Sequence, residues 1–265
     1  MGILNPQVTL VKLGGSLITQ KDRPLTLNAK GIRSPAKAIS KTLSRKRDTS
    51  IMLVHGGGSF GHYYASKYRL TTVKRVAPAI GVSRVATSML DLHSAVIHEL
   101  VEQGVPCKSI LTSELITHDG RHISSAGAHT VQLLLQSGFV PITFGNVSIG
   151  AGGTSIISGD RIALSLAEVL KIRRMIFAMD VDGIYADSDL NGNIIRELKR
   201  GEISHSKKRK FDVTGGLDSK IEIGFKLAEL GTDVFYVNGL FEERLANLIQ
   251  GRNDVFCTRI NPNNI

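Results

Sequence analysis

Short apolar runs recur along this chain, and most are continuous rather than alternating. Residues 8–13, 51–54, 139–144, 175–179 and 233–237 are each dominated by Val, Ile, Leu, Met and Phe. A strand with one wet face alternates apolar and polar residues, whereas a continuous run is a strand covered on both faces. Helix-length segments lie between the runs. In residues 84–103, Val85, Met89, Leu92, Val96 and Leu100 recur at steps of three and four and mark one face. Gly104 and Pro106 stop that helix. Further helices are predicted at 128–136, 160–170, 219–230 and 240–249, with strands at 105–111 and 255–260. The alternation predicts an α/β fold, with helices on both faces of a mostly parallel central sheet. A (β/α)₈ barrel fits the length, but the clean units fall short of eight and the glycine clusters are unlike barrel loops.

Glycines gather where the apolar runs end. Lys12-Leu13-Gly14-Gly15-Ser16 follows the first run, and His55-Gly56-Gly57-Gly58-Ser59-Phe60-Gly61-His62 follows the second. Gly56, Gly58 and Gly61 match the dinucleotide pattern G-x-G-x-x-G. That pattern needs an acidic residue about 20 positions on. The first acid after Gly61 is Asp91, inside the long helix, so the dinucleotide reading fails. What remains is nearly bare backbone, suited to cradling an anion on its N–H groups. Three more clusters follow: Ser158-Gly159-Asp160 at a helix start, Asp180-Val181-Asp182-Gly183 after a strand, and residues 212–220, which lead through Gly216 to Lys220. Asp160 stands where a cap or a first-turn acid belongs. Asp180 and Asp182 could hold a magnesium ion, a ribose or a catalytic lysine. Lys220 and its helix start are suited to phosphate.

Charge narrows the partner class only partly. Thirty-three Lys and Arg against 23 Asp and Glu give a net charge of +10, which points to something anionic. A nucleic-acid module would show aromatic platforms or a basic recognition helix. Aromatics are 5% of the chain and no such helix is visible, so no nucleic-acid partner is expected. No apolar run approaches the ~18 residues of a membrane span. No secretory or myristoylation signal opens the sequence, and two cysteines make no disulfide framework. A cytoplasmic location is expected. The segment 185–211 is polar, with Asn191-Gly192 as a hairpin turn and a basic run at Lys207 to Lys210. It reads equally as a flap beside a site or as a solvated loop. His118, His122 and His129 form no metal motif, and no metal-ligating residue is assigned.

Taken in this order, each at a strand end or helix start, the clusters resemble the amino acid kinase family. The resemblance runs from about Val8 to Arg259. Within the family it is nearest the branch acting on isopentenyl phosphate, with fosfomycin kinases more distant. His62, closing the second glycine loop, is the residue that separates this branch from relatives acting on carboxylates. The resemblance implies a three-layer αβα sandwich forming one domain over 1–265. An acceptor lobe would cover about 1–150 and a nucleotide lobe about 151–265. It implies ATP-dependent phosphorylation of isopentenyl phosphate, with ATP and Mg2+ as cofactors and a homodimer as the assembly. Another small phosphate or phosphonate, such as fosfomycin, is the alternative acceptor.

The same resemblance assigns roles to matching positions. Lys12 and Lys220 would contact the transferred phosphoryl group and the ATP β-phosphate, and Lys21 would stabilise the transition state. Gly14, Gly15, Ser16 and Gly57 would line the phosphate path. Gly57, Gly58, His62 and Gly159 would hold the acceptor. Asp160 would orient the lysines, and Asp180 and Gly216 would bound the nucleotide site. Two positions depart from the pattern: Asn146 where relatives often have Asp, and Arg161 where a second acid is common. Ile80, Val82, Val85, Ala86 and Met89 are candidates for an apolar acceptor chain, or simply core.

Overall fold

The central strand β1 (Val8–Leu13) pairs in parallel with β2 (Ser50–His55) on one side and β7 (Arg174–Met179) on the other. The structure is a computed structural model that describes residues 8–45, 49–70, 77–117, 122–150, 153–186, 193–201 and 216–264. β3 (Cys107–Ser109) and β4 (Val140–Phe144) extend the sheet beyond β2, and β8 (Asp233–Asn238) and β9 (Thr258–Ile260) extend it beyond β7. The order is β3-β4-β2-β1-β7-β8-β9, and every pairing is parallel except β8 with β9. The sheet is open, which removes the barrel alternative.

Helices cover both faces, as the continuous apolar runs require. On β1, Val11 and Leu13 enter a core shared with α2 (Ala29–Arg45), α4 (Ala79–Glu102) and α9 (Glu242–Ile249). Leu10 points the other way, into a core shared with α6 (Ser125–Gln136), α7 (Gly159–Leu170) and α8 (Gly216–Glu229). The alternation of a strand fixes this division. Each large side chain so buried contributes about 1.5–3 kcal/mol. The same rule puts Lys12 on the α7 and α8 side, and His55 on the α4 side.

Several elements differ from expectation. α2 has no counterpart in the sequence reading, because its buried face of Gly31, Ile32, Ser34, Pro35, Ala36, Ala38, Ile39 and Thr42 carries only two large apolar side chains. The segment is polar on average, with Lys and Arg along its outer face, so no apolar run announces it. Asn28 starts the helix by accepting from Gly31 N–H at 3.2 Å. The second glycine loop opens directly into a helix, α3 (Gly58–Lys67), with Gly57 as its cap residue. Two short helices, α1 (Gly15–Ile18) and α5 (Thr112–Leu115), and an antiparallel hairpin of β5 (Asn146–Gly150) and β6 (Gly153–Ile157) also had no counterpart. The strands predicted at 105–111 and 255–260 shrink to β3 and β9. The Asn191-Gly192 turn, the Lys207 to Lys210 run, residues 212–215 and His118 lie outside the described residues.

Candidate active site

Three strand ends converge where the connection after β1 leads to one neighbour and its other neighbour is β7. Such a switch in strand order opens a crevice at the carboxyl edge of a parallel sheet. Lys12 is the next-to-last residue of β1 and is 4% exposed. Its ammonium lies 2.8 Å from Asp160 Oδ1, and Lys220 Nζ donates to Asp160 Oδ2 at 2.7 Å. The Lys12 contact is a close ion pair. One carboxylate therefore gathers a lysine from β1 and a lysine from α8.

Local structure explains how Asp160 is available. Ser158 caps α7 by accepting from Arg161 N–H at 3.2 Å. Asp160, in the first turn, is left to face the lysines. Burial disfavours its charge, but the two ammonium groups outweigh burial and hold its pKa below the carboxylate range. Burial lowers the Lys12 pKa to about 8, aided by Lys220 and opposed by Asp160. Two lysines within reach of one buried acid carry excess positive charge, a place for a polyanion.

The two glycine loops interlock beside this cluster. A Cβ on Gly15 would lie 2.3 Å from Gly58 N, and one on Gly58 would lie 2.5 Å from Gly15 O. Gly58 also has φ +47°, in the left-handed region where glycine is favoured. Thr19 fastens the pair. Its hydroxyl donates to Gly15 O at 2.8 Å and accepts from Ser59 N–H at 2.9 Å. Gly14 N–H is held by Ala178 O at 2.8 Å. Gly159 packs so closely behind the second loop that a Cβ would lie 2.8 Å from His55 O. Neither Gly57 N–H nor Gly58 N–H has a partner among the described residues. They open a helix N-terminus, which favours an anion.

A second carboxylate repeats the arrangement. Asp180, just past β7, accepts from Ser16 Oγ at 2.7 Å and pairs with Lys21 Nζ at 3.0 Å. Burial opposes its charge, but Ser16 and Lys21 keep its pKa below normal. Of the three tasks open for this pair of acids, Asp180 makes the contact to a lysine. Asp182 turns away, to Arg244 Nη1 at 2.6 Å and Asn238 Nδ2 at 3.2 Å. No group of three or more His, Cys, Asp or Glu among the described residues is placed to share a metal ion. With both site carboxylates engaged by lysines, the residues fit a metal carried by nucleotide phosphates, not one caged by protein.

His62 is exposed on α3, and burial of part of its ring plus the Lys12 charge lower its pKa. Gly216 opens α8 four residues before Lys220, so both lie on one face. Val85 and Met89 are 2% and 1% exposed and belong to the core, while Ile80 is 58% exposed. A Cβ on Gly57 would lie 3.0 Å from Met89 Sδ, so α4 does back the second loop.

The model of the amino acid kinase family matches residues 7–238. The chain belongs to the amino acid kinase family. An isopentenyl phosphate kinase of Thermoplasma acidophilum is 34% identical over 244 residues, covering 90% of this chain and 95% of that protein. One from Methanothermobacter thermautotrophicus is 29% identical over 265 residues, covering 95% and 98%. Among solved structures, an isopentenyl phosphate kinase substrate complex aligns with a TM-score of 0.76 at 29% identity, covering 95% of this chain and 99% of that one. For a member of the amino acid kinase family, the lysine-carboxylate clusters are thus placed at the strand edge by the fold. Thr19 was missed by sequence reasoning. A threonine three residues past Ser16 gives no local signal, because its partner Ser59 is forty residues away.

Proposed function

We propose that this chain transfers the γ-phosphoryl group of ATP to isopentenyl phosphate, giving isopentenyl diphosphate and ADP. The observation that carries the reading is Asp160 holding Lys12 and Lys220 beside two interlocked glycine loops. Relatives named isopentenyl phosphate kinase that align along nearly the whole chain support the choice of acceptor.

An oxygen of the acceptor phosphate attacks the γ-phosphorus of ATP in line. One P–O bond forms as the bond to the bridging oxygen breaks, and ADP leaves. The acceptor oxygen is already anionic, so no strong base is needed. The obstacle is repulsion between two anions and the charge that develops between them. Gly57 and Gly58 N–H groups, with His62 and Gly159, hold the acceptor phosphate. Gly14, Gly15, Ser16 and Gly216 line the ATP phosphates, with Asp180 bounding the nucleotide side. Lys12 and Lys220 face the transferred group and the β-phosphate, and Lys21 meets the transition state. Asp160 and Asp180 fix where these lysines point. Magnesium accompanying ATP would neutralise charge on its phosphate oxygens.

The acceptor side belongs to an N-terminal lobe, about 1–150, and the nucleotide side to a C-terminal lobe, about 151–265, of one domain. A homodimer in the cytoplasm completes the reading, and sedimentation equilibrium tests the assembly. Among the described residues no helix is long and apolar enough to cross a membrane. The functional test is purified protein with Mg-ATP and an acceptor panel, followed by phosphorus NMR. Formation of isopentenyl diphosphate is expected. Turnover of fosfomycin with none of isopentenyl phosphate would overturn the proposal.

A further inference from the structure

Behind the second glycine loop lies a buried chain of polar groups for which phosphoryl transfer has no direct use. His55 and His93 are 0% and 4% exposed. His55 Nδ1 is 3.0 Å from Gly56 O, His55 Nε2 is 2.9 Å from His93 Nδ1, and His93 Nε2 is 2.7 Å from Ser109 Oγ. The direction is forced by the carbonyl, which can only accept. His55 therefore carries its hydrogen on Nδ1, which leaves Nε2 as an acceptor. His93 must donate from Nδ1, and its Nε2 then accepts the Ser109 hydroxyl.

Both rings are neutral. Burial, the neighbouring His93 and Lys12 lower the His55 pKa to about 3 against the Gly56 bond, and burial lowers His93 to about 4. The rings are held in place by Phe144, whose centroid is 5.4 Å from that of His55 and 4.1 Å from that of His93. The chain ends on a peptide that matters. Gly56 N–H is bound to Leu13 O at 3.0 Å, so the His55 ring fixes the other end of the same glycine. Its orientation sets where Gly57 and Gly58 begin.

We propose that His55, His93 and Ser109 form a one-way hydrogen-bond relay that positions the Gly56 peptide, and through it the second glycine loop, for the acceptor phosphate. These are positioning residues; none touches substrate. The relay ties the loop to α4 through His93 and to β3 through Ser109. The kinetic consequence rests on the functional reading above, and the spectroscopic one does not.

Long-range proton–nitrogen NMR of histidine-labelled protein should show both rings neutral with the hydrogen on Nδ1 down to about pH 5. A hydrogen on Nε2 of His55 would overturn the relay. His93→Phe keeps the ring packing on Phe144 and removes the donor. It should raise KM for isopentenyl phosphate about five- to tenfold, the worth of one hydrogen bond, with KM for ATP within about twofold. Ser109→Ala, a milder change at a half-buried site, should raise the acceptor KM less, and Ser109→Thr should restore it. Acceptor KM unchanged in both His93→Phe and Ser109→Ala would refute the positioning role. If the wild-type protein does not turn over isopentenyl phosphate, the functional reading fails, while the ring spectra still decide the relay.

Discussion

Replacing Asp160 by Asn removes one negative charge and almost no volume, so its effect can be reasoned from the two lysines it holds. With its pKa lowered to about 8, Lys12 begins to lose its charge within the working pH range. Asp160 is the influence that raises it; burial and Lys220 both lower it. Without the carboxylate, the Lys12 pKa falls further and a smaller share of the side chain carries charge at neutral pH. Lys220 loses the charged acceptor at 2.7 Å that fixes its direction. A preorganised donor aimed at developing charge is worth about 3 kcal/mol, or about a hundredfold in rate. Degrading two such donors should lower kcat/KM by about 100- to 1,000-fold. The pH profile gives an independent check. Lys12 acts as the ammonium, which exists below its pKa, so wild-type kcat/KM should fall as pH rises through about 8. The limb in kcat should lie higher, because bound phosphates favour the ammonium. In D160N the kcat/KM limb should move to lower pH. A coupled ADP-release assay from pH 6 to 9 measures all three. A D160N protein within about fivefold of wild type, or with its limb unmoved, would show that Asp160 does not control these lysines.

Four further substitutions test other parts of the molecule. His62→Ala should raise acceptor KM at least about tenfold with KM for ATP within about twofold, since one hydrogen-bonding contact to a charged phosphate is lost; equal effects on both would place His62 elsewhere. Lys21→Ala should cut kcat about a hundredfold yet leave the melting temperature nearly unchanged, because Lys21 is 61% exposed and surface pairs contribute little to stability; a large loss of thermal stability would contradict this. Gly58→Ala should cost more than about 3 kcal/mol by denaturant unfolding, because its Cβ would lie 2.0 Å from Thr19 Oγ1 at φ +47°. Gly104→Ala, at φ +77° with nothing within 4 Å, should cost only about 1 kcal/mol.

Much of the sheet was legible because burial on both faces leaves a mark on every residue of a strand. β1, β2, β4, β7 and β8 begin and end within one residue of the apolar runs that announced them. α4 was legible because Val85, Met89, Leu92, Val96 and Leu100 are large and all buried. α2 was not, because only Ile32 and Ile39 are large on its buried face and its many lysines and arginines make the segment polar on average. The β5–β6 hairpin escaped for a related reason: it lies outside the main sheet, and Ile149 and Ile156 are exposed.

The site divides along the same line. The order of residues supplies the kinds of group available and their places in the chain: lysines and acids at strand ends, glycines where backbone must approach an anion. The family resemblance added roles. Which acid serves which lysine is settled by the packing of the layers. Asp160 lies 148 positions from Lys12 and 60 from Lys220, and Asp180 lies 164 from Ser16, so no local pattern could pair them. The same packing decides that Thr19 binds two loops together and that His55 passes a hydrogen bond through His93 to Ser109. A strand's alternation fixes the side to which a residue points. What it meets there depends on how the layers pack, and that is set by the whole chain at once.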